Sequence, residues 1–299
     1  MDILHNMKYL GIDIGVRNLS FCLLSDPDYN EDGELVYNEP LFWKDISILD
    51  EPETCMVVNC KLPSKWKNEV NKVYCGLHKK RGILIKELEP VVVRKVDEYT
   101  PFEIQVRMIS TLNKYPELYN VDYIFIENQP IDNGYMKGVA SSVFTYFTKG
   151  GYVDQETPMI KEIAYISATK KTKNVPIIGE VYVSAKKDAY KRRKDTSIEY
   201  CRRYCNKHIP HLLSYFESHR KKDDLADSYM MCIAGMWYIN IRDMHSRLEL
   251  ADIYKLCEKN GISLTKSNGK LRTCKQLSKD LETNWVWVNE LILEKKIND

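Results

Sequence analysis

The chain has no apolar run long enough to cross a bilayer. Its longest, "LADSYMMCIAGMWYI" at 225–239, contains Asp227 and falls short of the ~20 residues a spanning helix needs. It has almost no net charge, +2 from 44 basic and 42 acidic side chains, so any charge-driven binding must come from local runs. It has no internal repeat and no low-complexity tract, which excludes solenoids and disordered linkers. No signal-peptide pattern precedes its nine cysteines, an odd number, so a reducing compartment is expected, with metal ligation favoured over disulfides. The expectation is a soluble intracellular protein.

What is present is 299 residues, enough for one large domain with small attachments. The opening "KYLGIDIGVRNLSFCLL" (8–24) reads as two hairpin strands around the turn-like "GVRN". A third strand is expected within 34–48. Residues 101–119 have helical apolar spacing at Phe102, Val106, Ile109 and Leu112. The strand "VDYIFIENQP" follows, then a compact helix ending at Gly150 and Gly151, then the strand "MIKEIAYISA" and the basic loop "TKKTKN". A polar helix over 185–206 and an apolar one over about 224–240 complete the order. That order predicts an α/β fold, a mixed five-stranded sheet flanked by helices.

Within this frame four acids stand out. Asp13 interrupts an apolar strand, and a buried acid is costly unless paired. Glu127 ends the run "YIFI". Asp224 and Asp227 in "KKDDLADS" are three residues apart and share a helix face. Singly, Asp13 could be a turn acceptor and Asp224 a helix N-cap. If their elements meet, the four carboxylates need cations to stay ionised. Two magnesium or manganese ions ~4 Å apart suit such hard oxygen ligands and clamp an in-line phosphoryl displacement.

The segments "GIDIGVRNLSFCLL", "IFIENQP" and "KKDDLADS" resemble the RNase H-like nuclease superfamily. They look most like its RuvC-type Holliday junction resolvases, in the branch found in poxviruses and other large DNA viruses. The resemblance spans residues 7–240 and implies that Asp13, Glu127, Asp224 and Asp227 are catalytic magnesium ligands. It implies a homodimer that cuts four-way DNA junctions symmetrically in viral recombination or replication, in the host cytoplasm or in virions. Gly11 and Gly15 are then expected to leave room for DNA and for a hairpin turn. An actin-like or sugar-kinase-like ATPase also begins "GIDIG", but needs a second glycine-rich phosphate loop of a kind this chain lacks. A junction-binding protein that does not cut would lack one of the acids, and an RNase H or transposase-like nuclease stays open.

Residues 186–207 hold nine Lys or Arg against three acids. Lys186, Lys187, Lys191, Arg192, Arg193 and Lys194, with Lys222 beside the acidic pair, are the expected phosphate contacts, and "KKTKN" at 170–174 fits the same surface. The alternative is an ordinary solvated helix face.

Residues 52–82 read as an insertion. Cys55, Cys60, Cys75 and His78 form C-x4-C-x14-C-x2-H, a ligand set for structural zinc in a segment with little apolar sequence in which to bury cysteines. A second set, Cys201, Cys205, His208 and His211, falls at helical spacing and serves equally as packing. Cys22, Cys232, Cys257 and Cys274 read as core. Residues 247–295 change character, with two amphipathic helices around "KNGISLTKSNGK". They resemble SAP-type DNA-binding modules, the alternative being a packing helical hairpin.

Overall fold

The computed structural model describes residues 6–29, 35–36, 38–68, 71–79, 88–129, 133–168, 171, 189–247, 254–255, 257–258, 261–273 and 276–277. Its centre is a five-stranded sheet of β1 (Lys8–Ile14), β2 (Asn18–Ser25), β3 (Phe42–Ser47), β4 (Tyr123–Asn128) and β5 (Glu162–Ser167), in the order β5-β4-β1-β2-β3. The first three form an antiparallel meander, and β4 and β5 add in parallel beside β1. Every residue of β2 is buried, as in a strand covered on both faces.

Strand alternation divides the core in two. Leu10, Ile12 and Ile14 of β1 and Ile124 and Ile126 of β4 face α1 (Pro101–Leu112) and α2 (Gly134–Thr148). Tyr9 and Phe125 face the other way, against α3 (Ala189–His208) and α5 (Lys222–Arg247), with α4 (Pro210–Ser218) between them in sequence. The alternation therefore puts Asp13 and Glu127 on the α5 side of the sheet.

Local chemistry explains the helix starts. Thr100 caps α1 and exchanges hydrogen bonds with Glu103, its hydroxyl accepting from the Glu103 N–H at 3.2 Å. Pro101 takes the first helical position, where its missing N–H costs nothing. The Asn133 side chain caps α2 by accepting from the Met136 N–H at 3.1 Å.

Helix α5 lies with its backbone against β1. A Cβ on Gly11 would sit 2.4 Å from the Ser228 carbonyl oxygen and 2.5 Å from the Cys232 nitrogen. Gly11 therefore makes room for a helix, not for DNA, which corrects the sequence expectation. Gly15 does serve the turn, since a Cβ there would meet the Asn18 carbonyl at 2.6 Å.

Two further differences follow from packing. Helix α1 buries Ile104, Met108 and Leu112, leaving Phe102, Val106 and Ile109 exposed. The helix carries two apolar stripes of the same period, and periodicity cannot tell which one meets the sheet. The insertion extends past residue 82, because its small sheet pairs Trp66–Asn68 with both Val73–Tyr74 and Leu88–Pro90.

Of the tail, Cys257 and Leu277 are buried together with Tyr254, Ile262 and Leu264 packed against them, and residues 265 and 271 form an isolated bridge. The remainder of the expected tail helices, and Cys274, lie outside the described residues. No helix among the described residues is long and apolar enough to cross a membrane.

Candidate active site

Asp13 at the end of β1, Glu127 near the end of β4 and Asp227 in the second turn of α5 converge on one buried cation, Lys171. Its Nζ lies 3.1 Å from Glu127 Oε1, 3.3 Å from Asp227 Oδ2 and 3.9 Å from Asp13 Oδ1. The lysine side chain is 5% exposed, and the three acids are nearly as enclosed.

One ammonium facing three carboxylates leaves surplus negative charge in a buried site. Burial pushes the Asp13 carboxyl well above its usual range, with Lys171 opposing and Glu127 and Asp227 reinforcing. Burial raises Asp227 likewise, although Lys171 and a hydrogen bond from Ser197 hold it back. For Glu127 burial is outweighed by Lys171 and by hydrogen bonds, so its carboxyl lies below the usual range. Burial lowers Lys171, but its three acidic neighbours outweigh that and raise it above the ordinary ammonium value.

Asp224 stands apart from this contact. One helical turn before Asp227, it accepts from Lys221 Nζ at 2.9 Å and lies 3.8 Å from Lys194 Nζ. The structure thus gathers three of the four expected acids around a cation and leaves the fourth paired beside them.

Lys171 is the residue that sequence reasoning misplaced. The basic loop suggested a surface contact, whereas the structure buries this lysine at the centre of the acids. Its only signal in the sequence was position, just after the strand that pairs with the Glu127 strand.

Among the expected phosphate contacts, Lys186 and Lys187 lie outside the described residues. Lys191 and Arg192 are exposed on α3, and Arg193 is half-buried. Lys194 contacts Asp223 at 2.5 Å, and Lys222 contacts Glu217 at 2.7 Å. Tyr200 and Tyr204 of the same helix are core residues.

The insertion brings its four expected ligands together. The donor atoms of Cys55, Cys60, Cys75 and His78 all lie within 4.8 Å of one another, and this is the one such Cys/His group among the described residues. The alternative set does not assemble. Cys201 and Cys205 are buried in packing, the His208 ring lies tilted against Tyr204 with centroids 4.7 Å apart, and His211 Nε2 lies 2.9 Å from Glu39 Oε1. Cys22, Cys232 and Cys257 are core residues as expected.

The three-strand meander, the two parallel strands beside β1 and the flanking helices make this an RNase H-like fold. No protein-family model matches the chain. It is 29% identical over 242 residues to an uncharacterised protein of Acanthamoeba polyphaga mimivirus, a match covering 73% of this chain and 56% of that protein's length. Among solved structures it is similar to the yeast mitochondrial Holliday junction resolvase Ydc2, at 16% identity and a TM-score of 0.38, covering 75% of this chain and 77% of that one. It is similar to fowlpox virus resolvase in its complex with Holliday junction DNA, at 14% identity and a TM-score of 0.38, covering 78% and 99%. Thermus thermophilus RuvC matches at 10% identity and a TM-score of 0.42, covering 79% and 96%.

Proposed function

We propose that this chain is a RuvC-type, metal-dependent endonuclease that resolves four-way DNA junctions by hydrolysing phosphodiester bonds. The observation that carries the proposal is the meeting of Asp13, Glu127 and Asp227, from three separate elements, at one buried point.

The donor set fits hard divalent cations. It offers only carboxylate oxygens, holds surplus negative charge, and already accommodates a positive group within 4 Å of all three acids. Two magnesium or manganese ions bound there would activate the attacking water and neutralise the charge gathering on the leaving oxygen. Asp13, Glu127 and Asp227 would hold the ions, and Asp224, now paired with Lys221, would be free to join them once that pair opened. Lys171 would supply a further cation beside the scissile phosphate. Lys186, Lys187, Lys191, Arg192 and Arg193 of the basic segment hold the flanking phosphates. Lys194 and Lys222 join them by exchanging Asp223 and Glu217 for phosphate.

Symmetric cutting of a junction requires two sites, hence a homodimer. Support comes from the outer face of α1, where Phe102, Val106 and Ile109 stand exposed. Beside it a cavity of about 290 Å³ lies between α1 and α2, lined by Pro101, Ile104, Gln105, Tyr135 and Val139 among others. The motifs around Asp13, Glu127 and Asp227, which resemble those of resolvases of large DNA viruses, support a role in viral DNA recombination or replication.

A synthetic four-way junction with magnesium tests the reading. Paired symmetric nicks that vanish in Asp13→Asn and Asp227→Asn are expected. Equal activity on plain duplex or on an RNA–DNA hybrid would sink the junction assignment.

A further inference from the structure

The inserted segment is poorly supplied with core. Between 51 and 91 the buried residues, among those described, are Cys55, Ser64, Val73 and Cys75. Three strands of two or three residues each cannot hold such a segment by themselves. The sulfur and nitrogen donors supply what is missing. Cys60 Sγ lies 3.8 Å from Cys75 Sγ, and His78 Nδ1 lies 3.3 Å from Cys55 Sγ and 3.4 Å from Cys75 Sγ. A tetrahedral zinc with bonds of about 2.3 Å to sulfur and about 2.0 Å to nitrogen sets its donors about 3.5–3.8 Å apart. Asn59 adopts a left-handed conformation, φ 64°, that turns the chain into Cys60. The His78 N–H donates to the Cys75 carbonyl at 3.1 Å, closing the turn that brings these two donors onto one side of the chain.

The same segment is strongly basic, with eight Lys or Arg against one acid between 61 and 86. Lys61, Lys65, Lys72 and Lys79 are exposed, and among the described residues none of them is paired with a carboxylate. Lys79 lies over the Trp66 ring at 3.2 Å, which fixes the direction of one of these charges.

The base of the segment is tied to the catalytic end of the sheet. Arg17, in the turn just after Asp13, donates from Nη1 to the Asp50 carbonyl at 3.0 Å and from Nη2 to the Arg94 carbonyl at 3.4 Å. Those two residues flank the points where the chain enters and leaves the insertion.

We infer that Cys55, Cys60, Cys75 and His78 hold one zinc ion, and that the zinc folds residues 53–68 and 71–79 into a clamp whose lysines, Lys61, Lys65, Lys72 and Lys79, grip the phosphate backbone of DNA entering the site. The zinc is structural, since all four positions of a tetrahedral ion are filled by protein. The grip rests on the nuclease reading of the neighbouring carboxylates; the zinc does not.

The test uses the full chain. Elemental analysis of protein purified without chelator is expected to give one zinc per chain, lost in Cys60→Ser and in Cys75→Ser. A wild-type chain without zinc overturns the metal site whether or not those variants fold. Binding to a fluorescent four-way junction is then followed across a salt series, with calcium in place of magnesium. The triple variant Lys61→Ala/Lys65→Ala/Lys72→Ala should retain zinc, bind about tenfold more weakly and lose about 2 to 3 from the slope of log affinity against log salt. Unchanged affinity and slope in that variant overturn the clamp. A wild-type chain that holds zinc yet binds no DNA overturns the clamp together with the nuclease reading, while the zinc site stands.

Discussion

Lys171 Nζ lies 3.1 Å from Glu127 Oε1, in a site where the lysine side chain is almost completely enclosed. The same ammonium reaches Asp13 and Asp227, so one charge offsets part of three. Removing it strands buried carboxylates, which costs far more than breaking a surface pair. Lys171→Met is therefore expected to cost about 3 kcal/mol, or about 6 °C in melting temperature, when no divalent metal is added. Added magnesium should raise its melting temperature by more than that of the wild type. Differential scanning fluorimetry measures both, and equal magnesium gains in the two proteins would show that Lys171 does not share the site of the ions.

Asp13 gives a pH dependence whose sign follows from burial. Its folded carboxyl is raised well above the ordinary value of about 3.9. Across that window the native state keeps a proton that the unfolded chain has released, so stability falls as pH rises through it. Asp13→Asn removes this loss, while Glu127 and Asp227 still pair with Lys171. Without added divalent metal the variant should be more stable than wild type by about 1 kcal/mol at about pH 8, and the gap should close toward about pH 4. Denaturant melts at the two pH values check this, and a gap that widened on acidification would contradict it. The same variant should be inactive, separating the cost of the carboxylate to the fold from its use in cleavage.

Much of this arrangement was legible in the chain. Alternation along "YLGIDI" and "YIFIEN" puts Asp13 and Glu127 on one face of the sheet, and the three-residue spacing of Asp224 and Asp227 puts both on one side of a helix. The cysteine spacing carried the insertion for a similar reason, because ligand sets are local and leave a pattern. Lys171 left none. A lysine in a polar loop looks the same whether it faces solvent or turns inward, and only the assembled sheet shows that three carboxylates await it. The exposed face of α1 escaped for the opposite reason, since two apolar stripes gave two equally good solutions. Helix α4, Pro210–Ser218, went unread between two stronger helical signals.

Gly11 tests how the sheet and α5 are joined. The atoms a Cβ would meet are backbone, so no side chain can move aside. Gly11→Ala should cost about 3 kcal/mol or more by pushing α5 off β1, and should reduce cleavage by displacing Asp227 from Asp13. Gly138, in α2, is the control, with nothing within 4 Å of an added Cβ. There the substitution to alanine should stabilise the helix by about 0.5–1 kcal/mol. Thermal melts of the two variants decide, and similar behaviour would mean that the close approach of α5 does not matter to the fold.

The outer face of α1 carries the dimer proposal and can be tested apart from the chemistry. Phe102 is 73% exposed and Val106 44%, on a helix whose inner face is fully occupied by Ile104, Met108 and Leu112. Substitutions there should leave the fold intact, since neither side chain reaches the core. Placing charge on the patch, as in Phe102→Glu/Val106→Glu, should convert a dimer into a monomer by light scattering with a melting temperature within about 2 °C of wild type. A monomer has one set of carboxylates, so its cuts on the two opposed strands of a junction should become independent. The products should shift from paired nicks to single nicks, read on a junction in a supercoiled plasmid as open circles in place of linear DNA. A variant that stays dimeric and still makes paired cuts would move the interface elsewhere on the molecule.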